Sequence, residues 1–154
     1  MARKVTPFVI EKLKQWEGCR LTVYRDPAGI WTIGYGHTGP DVKLGMQITQ
    51  AQADKLLMDD LARFELAVDR LVKVPLTDNQ FGALVSFAFN VGVHAFQQST
   101  LLRKLNKGGY SAVPAELSRW NKVGSKVLDG LVNRRAAEAD LWATSLQYAG
   151  GQCE

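Results

Sequence analysis

The hydrophobic positions change period along the chain, and each change predicts a new element. Thr6-Pro7 sets a hydroxyl cap before a proline at a first helical position. Phe8, Val9, Leu13 and Trp16 then form an apolar stripe that Gly18 ends. Residues 21–24 and 30–33 are short runs of β-type side chains, separated by the turn formers Asp26, Pro27 and Gly29. Gly34, Gly36, Gly39 and Pro40 close this small sheet segment. From Thr49 the period becomes helical. Thr49 and Gln52 make a capping box, and Ala53, Leu56, Leu57, Leu61, Phe64, Val68, Leu71 and Val72 mark one face. That stripe predicts a helix of about 24 residues, ~36 Å long. Pro75 stops it, and a second capping box, Thr77 with Gln80, starts a helix through Phe81, Leu84, Val85 and Phe89. Shorter helices follow over about 100–106, ended by Gly108-Gly109, and about 111–120. The last covers about 131–145 with Leu131, Leu141 and Trp142. There is no internal repeat and no linker. The pattern is α+β, with helices dominant and the sheet confined to the N-terminal third. It predicts a single domain over 1–154, with a sheet-bearing lobe near 15–60 and a helical lobe from 1–14 and 61–154, joined by the long helix.

Composition narrows the class. Of 154 residues, 46% are hydrophobic and 22% charged, which is globular and far from a disordered chain. The net charge of +4 favours anionic partners but is thin support for a nucleic-acid binder, and no nucleic-acid motif is present. Two cysteines, Cys19 and Cys153, and two histidines, His37 and His94, exclude a disulfide scaffold and a four-ligand zinc site. Cys19 reads as a small buried hydrophobe and Cys153 as a thiol on a tail. The longest near-apolar stretch, 84–93, is broken by Ser86, Asn90 and Gly92, well short of the ~20 residues that cross a bilayer. The basic N-terminus leads into Glu11, Lys12 and Lys14 where a secretory segment would be uncharged.

Candidate chemistry is concentrated in residues 17–37. This stretch offers a carboxylate at a helix end, Glu17, a second on a turn, Asp26, and a hydroxyl on the returning strand, Thr32. Cleaving a glycosidic bond needs a proton for the leaving oxygen and a nucleophile on the other face of the sugar. Two carboxylates in unlike environments can divide those roles. Glu17 beside Trp16 suits the acid, and Asp26 on a polar turn suits the ionised partner. Spacing alone leaves a second reading open, in which Glu17 is a helix-end charge and Asp26 an ordinary turn residue.

The full pattern is longer than a pair of acids. Glu17, Arg20, Tyr24, Asp26, Gly29, Thr32, Ile33, Gly34, Gly36 and His37 stand in the arrangement E-G-x-R-x-x-x-Y-x-D-x-x-G-x-x-T-I-G-x-G-H. This resembles the signature of phage-type lysozymes, glycoside hydrolase family 24, and its texture is closest to lambdoid-type endolysins. The resemblance continues in Ile48-Thr49, in 89–92, in Phe96 with 99–102, and in 130–135 with Glu138, so it spans nearly the whole chain. Val23 stands where a smaller residue is expected.

The resemblance implies a mainly helical lysozyme-like fold and a muramidase. Such an enzyme hydrolyses the β-1,4 bond between N-acetylmuramic acid and N-acetylglucosamine in peptidoglycan, for host-cell lysis. Glu17 would be the general acid, Asp26 and Thr32 would hold the attacking water, and the glycan would lie in a cleft between the lobes. Phe89, Asn90 and Ser99 match positions that face the substrate, and a core role for Phe89 stays open. His37 matches a structural position, with Asp60 as its ion-pair partner. No metal and no cofactor is implied. The partners are peptidoglycan glycan strands, with no nucleic acid, no stable membrane association and a monomeric state. The expected course is storage in the host cytoplasm and release through a holin to the periplasm and wall. A hydroxyl beside Asp26 favours a bound water over direct attack, and hence inversion, with the Glu17–Asp26 carboxyls ~6.5–9.5 Å apart rather than ~5–5.5 Å. Rival readings are a lytic transglycosylase, which uses no water, and a non-catalytic peptidoglycan-binding module. Arg134-Arg135 and Arg103-Lys104 read as solvated helix faces.

Overall fold

The computed structural model describes residues 3–144. In chain order the elements are α1 (Pro7–Glu17), β1 (Arg20–Arg25), β2 (Trp31–Gly34), α2 (Gln50–Leu71), α3 (Asp78–Val91), α4 (Val93–Gln98) and α5 (Thr100–Asn106). A short 3₁₀ turn, Tyr110–Ala112, leads into α6 (Val113–Ser118), β3 (Lys122–Val123), β4 (Lys126–Val127) and α7 (Asp129–Ala143). This is an α+β chain with two small antiparallel hairpins, β1–β2 and β3–β4. Contacts divide it into a unit of Ile10–Arg63 and a unit of Met1–Val9 with Phe64–Glu154.

The first unit holds the β1–β2 hairpin. Tyr24 pairs with Thr32 and Arg25 with Trp31, and the register is irregular between Arg20 and Tyr24. Residues 46–48 border the other edge of β1, with Val23 N–H donating to the Met46 carbonyl and Ile48 N–H to the Leu21 carbonyl. Leu13, Ile33, Tyr35, Val42, Ala53, Leu57 and Leu61 make its core. The predicted capping box opens α2: Gln52 N–H donates to Thr49 Oγ1 at 3.1 Å and Thr49 N–H to Gln52 Oε1 at 2.8 Å. The helix has 22 residues, giving ~33 Å.

In the second unit α3 is the hub, packed against α4 and α7, with α6 also on α7. Every residue from Phe81 to Ala88 is buried. At Gly82 a Cβ would stand 2.5 Å from Val9 Cγ2, so only glycine lets the first turn of α1 approach α3 this closely. The second capping box is also formed, by Thr77 and Gln80. Three features were not anticipated by the hydrophobic pattern. α4 is a separate helix after Gly92, whose φ of 97° halts α3. The 111–120 segment is a 3₁₀ turn followed by a shorter helix, and β3–β4 contains only two residues per strand. Ser145 and Cys153 lie outside the described residues.

Arg134 and Arg135 correct the sequence reading. They are buried, 7% and 1% exposed, and both reach Glu138, which is 0% exposed. Glu138 Oε2 accepts from Ser86 Oγ at 2.5 Å, Arg134 Nε at 3.2 Å and Arg135 Nη2 at 3.0 Å. Arg135 Nε lies 2.7 Å from Oε1. Arg134 Nη2 also donates to the Ser86 carbonyl at 3.1 Å. The pattern hides this because α7 has two adjacent arginines and little apolar periodicity, while the Ser86 that bonds Arg134 and Glu138 is on α3. Arg103 and Lys104, by contrast, are exposed in the last turn of α5. Glu138→Ala should cost about 3–5 kcal/mol, because it leaves two buried guanidinium groups without their shared carboxylate. Urea unfolding measures this, and a loss below about 1 kcal/mol, the scale of an exposed pair, would contradict it.

Candidate active site

Glu17 is the last residue of α1, and the Gly18 N–H closes that turn on the Lys14 carbonyl at 3.0 Å. Its half-buried carboxyl lies against the backbone of Gly36. The φ of +81° at position 36 favours glycine in the turn, and a Cβ there would be 2.7 Å from Glu17 Oε1, so a side chain would displace the carboxyl from this place. The G-x-G that ends the sequence motif thus shapes the wall beside Glu17.

Asp26 and Thr32 are held by one residue between them. Asp26 Oδ1 accepts from the N–H groups of Ala28 and Ile30, both at 2.9 Å. The Ile30 carbonyl accepts from Asp26 N–H at 2.9 Å and from Thr32 Oγ1 at 2.8 Å. Thr32 is 2% exposed. Its proton is committed to Ile30, so the oxygen faces any further partner as an acceptor. Among the described residues, none bonds Asp26 Oδ2. Tyr24 is the neighbour the two carboxylates share. Burial raises its hydroxyl above the usual range, the Glu17 and Asp26 charges add to this, and Arg20 opposes them.

His37 is clamped from both sides. Nδ1 lies 2.6 Å from Asp60 Oδ2 and Nε2 lies 2.9 Å from Asp41 Oδ2. Arg63 Nη1 donates to Asp60 Oδ1 at 3.2 Å. Burial alone would lower the imidazole, but the hydrogen bonds to Asp60 and Asp41 outweigh it and the net direction is upward. In return His37 holds the Asp41 carboxyl below its ordinary range. The sequence reading named Asp60 and missed Asp41, although an acid four residues after the histidine was the available signal.

Glu17, Asp26, Thr32, His37 and Asp60 all belong to the Ile10–Arg63 unit, whereas Phe89, Asn90 and Ser99 belong to the other. Phe89 is half-buried and packs edge-on against Phe64, with ring centroids 5.2 Å apart. Ser99 caps α5, accepting from Leu102 N–H at 3.1 Å and donating to the Phe96 carbonyl at 2.7 Å. Asn90 is the exposed polar side chain of the three. Cys19, expected to be buried, is half-buried with Sγ 3.9 Å from Gln50 Oε1. Among the described residues no group of three or more His, Cys, Asp or Glu is arranged to hold a metal ion.

Known proteins resemble the chain over most of its length. The phage lysozyme family matches residues 14–138. The endolysin of Bacillus phage PZA is 48% identical over 135 residues, covering 86% of this chain and 52% of the phage protein. The chain therefore spans about half the length of that relative. The endolysin of Acyrthosiphon pisum secondary endosymbiont phage 1 is 44% identical over 137 residues, covering 86% of this chain and 93% of its own. Among solved structures, the muramidase domain of SpmX from Asticaccaulis excentricus superposes with a TM-score of 0.83. It is 40% identical, with 91% of this chain and 97% of that domain covered.

His37→Asn yields a prediction with a defined sign. The folded-state value lies above the unfolded one of ~6.5, so the stabilisation is complete below that and disappears as pH climbs through the folded value. The substitution should therefore cost more stability at about pH 5.5 than at about pH 9. Denaturation at the two pH values reads it, and equal losses would mean that the imidazolium is not the paired species.

Proposed function

This chain belongs to the phage lysozyme family, and on that premise we propose that it is an endolysin-type muramidase. It hydrolyses the β-1,4 bond between N-acetylmuramic acid and N-acetylglucosamine in bacterial peptidoglycan, with inversion, and serves host-cell lysis. The observation that carries the reading is the Ile30 splint. A water bound between Asp26 and Thr32 has two protons and needs two acceptors. Asp26 Oδ2 is one, and Thr32 Oγ1, its own proton engaged by the Ile30 carbonyl, is the other. The water lone pair then faces the anomeric carbon.

The step balances without a cofactor. The water oxygen bonds to the anomeric carbon as the glycosidic bond breaks, Asp26 takes the water proton, and Glu17 gives its proton to the leaving oxygen. Gly36 limits where the Glu17 carboxyl can sit. A carboxyl separation of ~6.5–9.5 Å belongs to this reading, since a water must fit between base and sugar. Sugar contacts assigned to Phe89, Asn90 and Ser99 are part of the proposal, and Asn90 is the one with an exposed polar group. Ser99 has its hydroxyl engaged in the α5 cap. We also infer action as a monomer on glycan strands, with storage in the host cytoplasm and holin-mediated release to the wall. Among the described residues no helix is long and apolar enough to cross a membrane.

Glu17→Gln keeps the shape and removes the proton donor, so activity on purified peptidoglycan should fall by at least about 100-fold in a folded protein. A folded variant near wild-type activity would refute the assignment of the acid. A second measurement tests the water. The first product from the β-linked glycan, read by NMR before mutarotation, should be the α anomer. A β anomer would refute inversion, and an anhydro product lighter by one water would mean transglycosylation.

A further inference from the structure

Of the described tyrosines, two have a bonded hydroxyl. Tyr110 Oη donates to the Pro75 carbonyl at 2.7 Å, and Tyr35 Oη accepts from Gln50 Nε2 at 3.0 Å. Tyr24 differs, since its hydroxyl forms no hydrogen bond with any described residue although the side chain is half-buried. Its oxygen is not among the buried side-chain atoms that have no partner, so the hydroxyl stands open to water and to a ligand.

Its position is tightly determined. Tyr24 stands directly opposite Thr32 in the antiparallel hairpin, so the two side chains are neighbours on one face. The Arg20 guanidinium lies 4.4 Å from the centre of its ring and fixes the ring plane. The hydroxyl lies within the field of both the Glu17 and the Asp26 carboxylates, and burial together with those charges keeps it protonated. A neutral donor suits this place. An ammonium or guanidinium reaching the same point would pair with a carboxylate and quench it, whereas a phenol brings no charge there.

We propose that Tyr24 is a substrate-contacting residue of this site, its hydroxyl donating a hydrogen bond to an acceptor oxygen of the sugar that is attacked. The assignment rests on the muramidase reading above. It supplies the reacting sugar with a polar contact distinct from the acid and from the water pair.

The test compares Tyr24→Phe, which keeps the ring on Arg20 and removes only the hydroxyl. In a Glu17→Gln background, where turnover is suppressed, soluble glycan strands are titrated by calorimetry with and without the second substitution. Tyr24→Phe alone is assayed for kcat/KM, for its pH–rate profile and for Tm. Binding and kcat/KM should each fall about tenfold, the scale of one hydrogen bond to a bound ligand. Tm and both limbs of the pH profile should stay in place, because the hydroxyl bonds none of the described residues. Unchanged binding and kcat/KM overturn the proposal. A loss with a lowered Tm assigns Tyr24 to folding instead, and a loss with a displaced limb assigns it to the carboxylates, and either outcome overturns it. Binding that weakens while the wild type proves non-hydrolytic would leave Tyr24 a glycan contact and remove the muramidase reading alone. If the Glu17→Gln protein binds no glycan, both fall.

Discussion

The placing of Asp26 and Thr32 in the hairpin depends on the main chain of one residue. Ile30 accepts from the Asp26 N–H and the Thr32 hydroxyl, and donates to the Asp26 carboxylate. Three hydrogen bonds to one residue fix a carboxylate and a hydroxyl that come from different arms of the turn. They also decide polarity. With its proton engaged, Thr32 offers only lone pairs, and such an oxygen can accept a hydrogen bond from water but not donate one. The chemistry of the site is therefore set by the direction of a hydrogen bond as much as by the identity of the side chains.

The two units handle buried charge in different ways. Around His37 the charges balance in pairs, with the imidazole between Asp60 and Asp41 and Arg63 on the second oxygen of Asp60. Around Glu138 one carboxylate serves two guanidinium groups, and the Ser86 hydroxyl takes up a further direction. The first arrangement is partly open and responds to pH. The second is closed, and there burial pushes the Glu138 carboxyl upward against the opposing pull of Arg135, Arg134 and Ser86.

Local signals were the legible ones. Both capping boxes, Thr49 with Gln52 and Thr77 with Gln80, could be read because each is contained in four consecutive residues. The hairpin over 20–34 was legible for the same reason, with turn formers between two β-type runs. Arg134 and Arg135 were misread although Glu138, the carboxylate they share, is only four and three residues away, because nothing in the weakly periodic α7 shows that this side of the helix is covered by α3, whose Ser86 is 48 positions from Arg134. α4 and β3–β4 were missed because six residues and two residues per strand fall below what periodicity can register. Within the site, Glu17, Asp26 and Thr32 stood in the motif itself. The contact between Glu17 and Gly36 did not, because closeness of a carboxyl to a backbone leaves no trace in spacing.

Ile30 itself exposes 51% of its surface, so its side chain is largely in water while its backbone is fully engaged. Two layers of information are thus stacked at one position. The side chain is nearly unconstrained, and the amide and carbonyl carry the constraint. Proline, which has no N–H, would remove the bond to the Asp26 carboxylate and leave the two bonds to the carbonyl. A catalogue of the site by side-chain identity would pass over position 30, although the arrangement of its neighbours is written in that residue's main chain.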